Sequence, residues 1–369
     1  MAESRALFDE DHEAFRSSFR EFLDRDVLPT ASQWRSAGMS PSAVFAVAGE
    51  NGFLGMAVPD RYGGGGVDDP RFSVAAAEEL MRAGLTGLAL AFATHINVAL
   101  PLVTVHANAE QQERWLPGLA SGESLAAVAG ALEPVPCVPD SGGLRIEGMV
   151  PAVVNAAAAG DFVVVTRAAT GECRIVVVDA GAEGMRRAAA SEPPGLYGAG
   201  VADLHLDSVA VADRDILPGD GDELRRSLQI DEQLALAAIS VAGGRTALSG
   251  TLEYVRDRTV FGRSVATFQN TRYAVAEVQA EISLAEAYRD LCVRKRMEGQ
   301  LDVLEAATAK LRCTELFGHA VDQGLQLHGG YGYMLEYPIA QAFADARYLR
   351  LHGGTSEAMK ETLAVGLGL

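Results

Sequence analysis

Hydrophobic positions at the start of the chain recur with the spacing of amphipathic helices. The apolar face of the first helix carries Phe15, Phe19, Phe22 and Leu23, at intervals of three and four. We predict that Pro29 ends this helix and that Ser40, before Pro41, begins the next. After the glycine turn "RYGGGG", similar patterns cover "PRFSVAAAEELMRAG" and "AEQQERWLPGLASG". The first third is therefore predicted to be helical.

Short β-prone runs replace the helical pattern from about residue 123 to 217. These runs are "LRIEGMV", "DFVVVTRA", "CRIVVVDA" and "VADLHLDSVAV". No helical pattern alternates with them, which disfavours parallel βαβ units and favours a small antiparallel barrel or sandwich. We predict that the proline-rich "EPVPCVPDSGG" is a loop at the entrance of this unit.

Long helical patterns return at about residue 222 and continue to the end. The first of them, from "ELRRSLQ" to "EYVRDR", is long enough for one helix or two. Four such helices indicate an antiparallel bundle. We therefore predict an α+β protein with an N-terminal helical domain (1–122), a middle β domain (123–219) and a C-terminal four-helix bundle (220–369).

Composition and charge narrow the classes of partner. Apolar residues make up 49% and charged residues 22% of the 369 residues, which is typical of a globular protein. The net charge of −18 argues against a nucleic-acid partner, because phosphate binding needs a basic surface. The four cysteines form no CxxC pair and the histidines have no HxxxH spacing, so we expect neither a disulfide framework nor a metal site.

The most apolar stretch, "LALAFATHINVALPLVTV", contains His95, Asn97 and Pro101. We predict a buried helix with a break here, and no membrane partner. The opening "MAESRALFDEDHEAF" is acidic and amphipathic, unlike a signal peptide. The sequence therefore predicts a soluble, cytoplasmic protein.

Two glycine clusters are weak signals when they are taken alone. "RYGGGG" and "GGYGY" do not follow a predicted strand, so neither is a Rossmann fingerprint. There is no P-loop and no GxSxG elbow. On local evidence each cluster predicts a tight turn.

Four segments together resemble the flavin-dependent acyl-CoA dehydrogenase family. They are "GFLGMAVPDRYGGGGVD", "EQQERWLPGLASGE", "RDRTVFGRSVATFQ" and "LQLHGGYGYMLEYPIAQAFADARYLRLHGGTSE". The order of helices, β domain and helices is also that of the family, and the likeness spans nearly the whole chain. The resemblance implies FAD as cofactor and α,β-desaturation of an acyl thioester bound to CoA or a carrier protein. It further implies a homo- or hetero-tetramer and an electron-transfer flavoprotein as a possible electron acceptor.

The resemblance also implies a set of FAD-binding residues. These are Arg258, Thr259, Phe261, Gln269, Gln326, Gly329, Gly330, Thr355 and Glu357. Arg258 offers a cation for the pyrophosphate, the two adjacent glycines allow close backbone approach, and the glutamines offer amides to adenine or ribose. In the family the adenine-side residues belong to the subunit next to the one that holds the flavin ring. Thr355 reads as a helix cap, with Glu357 in the first turn.

Most family members place the catalytic glutamate at the position of Gly353, and glycine cannot abstract a proton. In a branch that includes isovaleryl-CoA and long-chain enzymes, the base lies on the first long C-terminal helix instead. Counting back 29 residues from Phe261 (261 − 232) leads to Glu232. The resemblance to this branch therefore implies Glu232 as the base that removes the α-proton while hydride leaves the β-carbon for FAD. Alternatively, Glu232 is one of 49 acidic residues and merely solvated.

The middle domain departs from the family pattern. The expected Thr-Glu-Pro-Gly-x-Gly-Ser-Asp loop is reduced to "ALEPVPCVPDSGG", and a Trp-Ser/Thr-Asn segment is reduced to "VVN", with Val153 in place of tryptophan. Three interpretations follow. The chain is an active dehydrogenase, a degenerate partner subunit that supplies adenine-binding motifs to another chain, or an enzyme of non-redox chemistry on the same scaffold.

Overall fold

The computed structural model describes residues 7–34, 42–189 and 194–369. Five helices of eight or more residues come first in the described chain: α1 (Glu10–Phe22), α2 (Ser42–Glu50), α3 (Pro70–Arg82), α4 (Thr86–Ala93) and α5 (Ala109–Ser121). The predicted helices of this region are confirmed. The predicted start at Ser40 and Pro41 lies outside the described residues.

The first helix does not end at Pro29, so that prediction is wrong. Its path continues from Phe22 through a π-helical turn, Leu23–Val27, into Leu28–Ala31. Pro29 occupies the first turn of this last segment, where a missing N–H removes no helical hydrogen bond. The aromatic face is buried as predicted, with Phe19 and Phe22 in the main core.

The apolar stretch forms a buried helix. From Thr86 to His106 it is long and apolar enough to cross a membrane, but 72% of its apolar window is buried inside the protein. The predicted break takes the form of a π-helical turn, Thr94–Ala99, before Leu100–His106. Within that turn His95 is buried and bridges Leu119 O at 2.9 Å and Ala126 N at 3.0 Å. Burial lowers the pKa of His95 to about 4, so the ring is neutral.

In the described part of the middle region, seven strands form one mixed sheet. They are β1 (Ala126–Ala129), β2 (Val135–Asp140), β3 (Gly143–Val153), β4 (Asp161–Ala168), β5 (Cys173–Asp179), β6 (Met185–Ala189) and β7 (Ala202–Ala212). Their order is β1-β4-β2-β3-β7-β6, with β5 also paired to β4. The prediction of antiparallel pairing is wrong for two pairs, since β1 and β2 both run parallel to β4.

These parallel pairs need no crossover helix because β1 and β2 belong to one extended segment. The offset to β4 changes from 35 residues (161 − 126) to 31 (166 − 135) between them. The segment 130–134 therefore leaves the ladder and bulges out. Gly130 begins this bulge with φ +76°, and a Cβ there would meet Val165 O at 2.5 Å.

The predicted loop "EPVPCVPDSGG" is mostly strand, which corrects that prediction. Val135 and Cys137 are buried, whereas Pro136 and Val138 are exposed. This alternation is the period of a half-buried strand, and the two prolines occupy exposed positions. The strand turns directly into β3, with Asp140 opposite Gly143.

The C-terminal region is a bundle of long helices. It comprises α6 (Gly221–Asp257), α7 (Gln269–Met297), α8 (Val303–His328), α9 (Pro338–Leu349) and α10 (Ser356–Gly366). The segment that could have been two helices is the single α6. A two-stranded hairpin, β8 (Thr259–Val260) with β9 (Arg263–Ser264), joins α6 to α7. Because α6 packs against α3, α7 and α8, its middle is buried on nearly every side and carries the core.

Candidate active site

Glu232 projects from α6 towards the turn that precedes α10. Its Oε1 lies 3.3 Å from Nε2 of His352, and both side chains are mostly buried, with 13% and 17% of their surface exposed. Low exposure weakens solvent screening, so charges near this carboxylate act on it strongly. The structure therefore places Glu232 in an enclosed polar contact rather than on a solvated face.

Gly353 lies directly against Glu232. It has φ +62°, a left-handed conformation that favours glycine. A Cβ added there would lie 2.6 Å from Leu236 Cδ1 and 3.2 Å from Glu232 Cδ. The two positions at which the sequence leads us to look for a base, one on a loop and one on a helix, therefore meet in space. The side chain missing from one is replaced by the carboxylate of the other.

Lys310 of α8 holds the next residue of the turn. Its side chain is fully buried, and its Nζ donates a hydrogen bond to Gly354 O. Burial lowers the pKa of Lys310 to about 8, and the negative charge of Glu232 opposes that shift. The turn is thus anchored to the bundle by a buried amine that faces the same carboxylate.

Thr355 and Glu357 occupy the start of α10. The Thr355 hydroxyl caps the helix by accepting from Ala358 N at 3.1 Å, as the sequence predicts. Glu357 is exposed in the first turn, and a backbone hydrogen bond at its own residue lowers its pKa. Both residues therefore border the same turn as Glu232.

Asp231 is adjacent to Glu232 in sequence but faces elsewhere. Its two carboxylate oxygens accept from Arg296 at 2.5 and 3.0 Å. Burial raises the pKa of Asp231, although the Arg296 hydrogen bond acts in the opposite direction. Asp231 is therefore bound to a guanidinium, whereas Glu232 contacts the His352 imidazole. The two neighbouring acids thus have different partners.

A cavity of about 230 Å³ lies along the adjoining face of α6. Its walls are mainly apolar side chains of α3, α4 and α6, including Phe72, Leu80, Phe92, Ala235 and Ile239. Ala235 is one helical turn beyond Glu232. Asp231 and its partner Arg296 also line the cavity, whereas Glu232 is not among the lining residues. An apolar space of this kind is suited to hold the hydrocarbon part of a ligand.

The other predicted cofactor residues lie at the opposite end of α6. Arg258 ends that helix, and its guanidinium lies 5.3 Å from the ring centroid of Tyr331, in the segment "GGYGY". Within the described chain Arg258 makes no salt bridge, so its charge is free for an anion. Gly329 and Gly330 are exposed, and added β-carbons there would meet nothing within 4 Å. The structure brings the arginine and this glycine turn together.

Four further predicted residues surround this end of the molecule. Thr259 and Phe261 lie on the hairpin, with Phe261 93% exposed and at φ +51°. Gln269 begins α7 and donates to Tyr273 Oη at 2.6 Å, and Gln326 is exposed near the end of α8. All four lie at the Arg258 end of α6, away from Glu232. Arg258 is 26 residues from Glu232 (258 − 232), which is about 39 Å of helix.

Comparison with known proteins agrees with this architecture. The model of the acyl-CoA dehydrogenase N-terminal domain matches residues 9–123, and that of the C-terminal domain matches residues 229–368. The chain is 30% identical to an acyl-CoA dehydrogenase of known structure from Geobacillus kaustophilus, with a TM-score of 0.92 and full coverage of both chains. The chain belongs to the acyl-CoA dehydrogenase family.

Two characterised relatives show the breadth of this likeness. The long-chain specific acyl-CoA dehydrogenase of Rattus norvegicus is 29% identical, over 98% of this chain and 87% of its own. A 3-(aryl)acrylate reductase of Clostridium sporogenes is 26% identical, over 98% and 99%. Acyl-CoA dehydrogenases are FAD-dependent oxidoreductases that act on CH–CH bonds, and this chain is an enzyme of that class.

Three features of this acyl-CoA dehydrogenase fit FAD. Arg258 offers a cation that makes no salt bridge to the described residues, and the exposed Gly329 and Gly330 leave backbone open beside it. At the other end, Ser356 Oγ is buried beside the Gly354 turn and has no hydrogen-bond partner within the described residues. Buried hydroxyls are normally bonded, so this one is suited to a cofactor atom.

The middle domain contributes one buried residue that sequence reasoning did not assign. Asn155 of the segment "VVN" donates to Ala91 O at 2.9 Å and to Ala126 O at 3.0 Å. It thereby fastens the sheet to α4, with φ +66°. The signal was an asparagine at the end of a strand, the residue type that tolerates this backbone. Val153 is buried in the sheet core.

The part of the middle domain that reaches the turn is the bulge, which begins the segment "ALEPVPCVPDSGG" that departs from the family pattern. Leu132 Cδ2 would lie 3.7 Å from a Cβ on Gly354. Arg225 and Gln229 of α6 hold the bulge through the carbonyl of Ala131, at 2.8 and 2.9 Å. An apolar side chain therefore stands beside the turn, where the family's loop would offer polar groups.

Proposed function

We propose that this protein is an acyl-thioester dehydrogenase in which Glu232 removes the α-proton of the substrate. The observation that carries the proposal is the fit between Glu232 and Gly353, whose missing side chain leaves the room that the carboxylate fills. In a site that had lost catalysis, no function would maintain a buried carboxylate at this point. Asp231 is committed to Arg296 and is not proposed as the base.

The surroundings of Glu232 suit a general base. Lys310 and His352 both lie near the carboxylate and present a positive charge to it when they are protonated. Little of its side chain is exposed, so water competes weakly for the carboxylate. In the reaction the α-carbon–hydrogen bond breaks and Glu232 holds the proton. FAD, when bound, supplies the acceptor for the hydride that leaves the β-carbon.

The cavity beside α6 is proposed to take the acyl chain. Its walls include Phe72, Phe92 and Ile239, which favour a hydrocarbon group over a polar one. The substrate is an acyl thioester of CoA or of a carrier protein. We propose an electron-transfer flavoprotein as electron acceptor and a cytoplasmic location.

The proposed FAD contacts fall into two groups that are too far apart for one cofactor. Thr355 and Glu357 lie beside the Glu232 turn. Arg258, with the residues around it, lies about 39 Å further along α6, which exceeds the length of FAD. Each cofactor would therefore take its ring contacts from one chain and its adenine-side contacts from another. This supports an oligomer, and we propose a tetramer.

The second candidate is a degenerate subunit that lends its adenine-binding residues to a related chain. Leu132 at the turn favours it, because this side chain offers no donor to a flavin ring. The two candidates differ in one respect that is simple to measure. An active enzyme binds FAD when it is expressed alone, whereas a lending subunit needs its partner.

The test is to express the chain alone, purify it and record its visible spectrum, then add acyl thioesters without oxygen. We expect a yellow protein whose flavin absorbance bleaches with at least one thioester. A colourless protein that becomes yellow only with a co-expressed related chain would contradict the first candidate and support the second. A yellow protein that no acyl-CoA or acyl-carrier thioester bleaches would refute dehydrogenation.

A further inference from the structure

His352 lies between the proposed base and the end of α9. Its Nε2 is 3.3 Å from Glu232 Oε1, and its ring stacks on Tyr348, with centroids 5.7 Å apart and planes 24° from parallel. The stack restrains the ring, and only 17% of the side chain is exposed. The imidazole is thus a restrained group in contact with one particular oxygen of the carboxylate.

This contact leaves the second carboxylate oxygen for the substrate. With its proton on Nε2, the imidazole presents a donor to Oε1 at this distance. A carboxylate held through one oxygen also loses rotational freedom before the substrate arrives, which lowers the entropy to be lost in the reaction. The effect acts through Glu232, so the imidazole need not touch the substrate.

Other titratable groups face the same carboxylate. Lys310 reaches it from α8, and Tyr348 faces it from α9, with a pKa raised to about 12 by burial and by the charge of Glu232. Tyr348 is therefore neutral at physiological pH. Arg350 and Glu357 act on Lys310 from either side of the turn. Among the described residues, His352 is the imidazole in direct contact with the Glu232 carboxylate.

We infer that His352 is a positioning residue for Glu232: it holds Oε1 of the base and keeps the carboxylate aimed at the substrate. The inference rests on the proposed role of Glu232. It adds a second residue to the site, on a chain segment that the sequence analysis assigned only to the cofactor turn. The contact with Oε1 and the ring stack can be removed separately, which makes the inference testable.

Two variants of the flavin-loaded oligomer separate the Oε1 contact from the stack. His352→Phe keeps an aromatic ring on Tyr348 but has no donor, whereas His352→Gln loses the stack and keeps an N–H at a similar reach. The first readout is the pH dependence of anaerobic flavin bleaching by an acyl thioester. The second is the ring titration of His352, followed by NMR with ¹⁵N-labelled histidine and assigned by its loss in His352→Phe.

We expect His352→Phe to bleach about tenfold more slowly and to shift the acidic limb of the profile upwards by about one pH unit. His352→Gln should keep the acidic limb of the wild-type pH profile, and its flavin should bleach within about twofold of the wild-type rate. In Glu232→Gln, the ring of His352 should titrate at lower pH than in wild type, because the carboxylate that favours imidazolium is gone.

The inference is wrong if His352→Phe keeps the wild-type pH profile of flavin bleaching. It is wrong as well if both variants lose bleaching activity equally and the acidic limb of that profile does not shift. It is also wrong if Glu232→Gln leaves the His352 titration unchanged. These failures differ from failure of the proposed function, in which Glu232→Gln itself bleaches at the wild-type rate. A titration shift in Glu232→Gln together with wild-type bleaching would show the contact to be real but not part of catalysis.

Discussion

A β-carbon on Gly353 would lie 3.2 Å from the carboxyl carbon of Glu232, so the glycine and the acid are complementary. The left-handed backbone of Gly353 and the nearby Leu236 both oppose a side chain at this position. The same small volume can thus be reached by a base from the turn or by a base from α6. In this protein the helix supplies it.

Replacing Gly353 with alanine should therefore impair the base as well as the backbone. We expect Gly353→Ala to slow flavin bleaching at least tenfold, because the new methyl group displaces Leu236 and Glu232. The left-handed backbone should also lower stability by about 1 kcal/mol. Bleaching rates and thermal unfolding measure the two effects.

The matched control is Gly142→Ala, at φ +79° with nothing within 4 Å of an added Cβ. It should lose similar stability and keep its bleaching rate. If Gly353→Ala bleaches as fast as the control, the complementarity has no catalytic meaning.

Lys310 should make stability depend on pH in a definite direction. Its pKa is about 8 in the folded protein and 10.5 in a solvated chain. Between these values the unfolded chain holds a proton that the folded protein has released, so the free energy of unfolding rises with pH. Relative to Lys310→Met, the wild type should gain about 2 kcal/mol between pH 7.5 and pH 9.5.

Unfolding of both proteins at the two pH values measures this difference. Lys360, which is exposed on α10, provides the control. Lys360→Met should keep a constant difference from wild type. A constant difference for Lys310→Met as well would mean that Lys310 is not a destabilised buried cation.

The division of one FAD between two chains predicts complementation between inactive variants. Glu232→Gln removes the base, and Arg258→Leu should weaken FAD binding about tenfold or more by removing a charge-assisted contact. In a mixed dimer unit, one of the two sites combines the intact Glu232 of one chain with the intact Arg258 of the other.

Co-expression of the two variants with different affinity tags should therefore restore activity in the doubly purified oligomer. Separately purified proteins that are mixed without exchange provide the control. Arg256→Leu, in the same helix turn, should retain FAD. An inactive mixed oligomer would contradict the shared site.

The cavity beside α6 should limit the size of the acyl group. Ala235→Leu adds volume to its wall, close to Glu232. We expect kcat/KM to fall at least tenfold more for the longest acyl thioester that the protein oxidises than for the shortest. Equal losses for both would show that the acyl chain lies elsewhere.

The sequence predicted the order of the elements well, because that order follows from periodicity. The helices and the buried apolar segment were found in this way. The boundaries at 122 and 219 remain a prediction. Pro29 and the prolines of β2 misled because a proline excludes only interior hydrogen bonds, and these lie at a first turn and at exposed strand positions.

The site was harder to predict, since it depends on contacts between distant segments. Counting residues led to Glu232, but nothing local indicates that Gly353 or His352 touches it. The local sequence likewise does not indicate which residue of the shortened middle-domain loop reaches this turn. The bulge at Leu132 becomes visible only when β1 and β2 are aligned on β4.

The role of Glu232 is tested most directly by Glu232→Gln, with Glu253→Gln as control on the exposed part of the same helix. Both proteins should retain FAD and the fold, measured by the visible spectrum and thermal unfolding. Rapid mixing with an acyl thioester in the absence of oxygen then gives the bleaching rate. We predict a loss of at least a thousandfold for Glu232→Gln and none for Glu253→Gln; wild-type bleaching by Glu232→Gln would contradict the account.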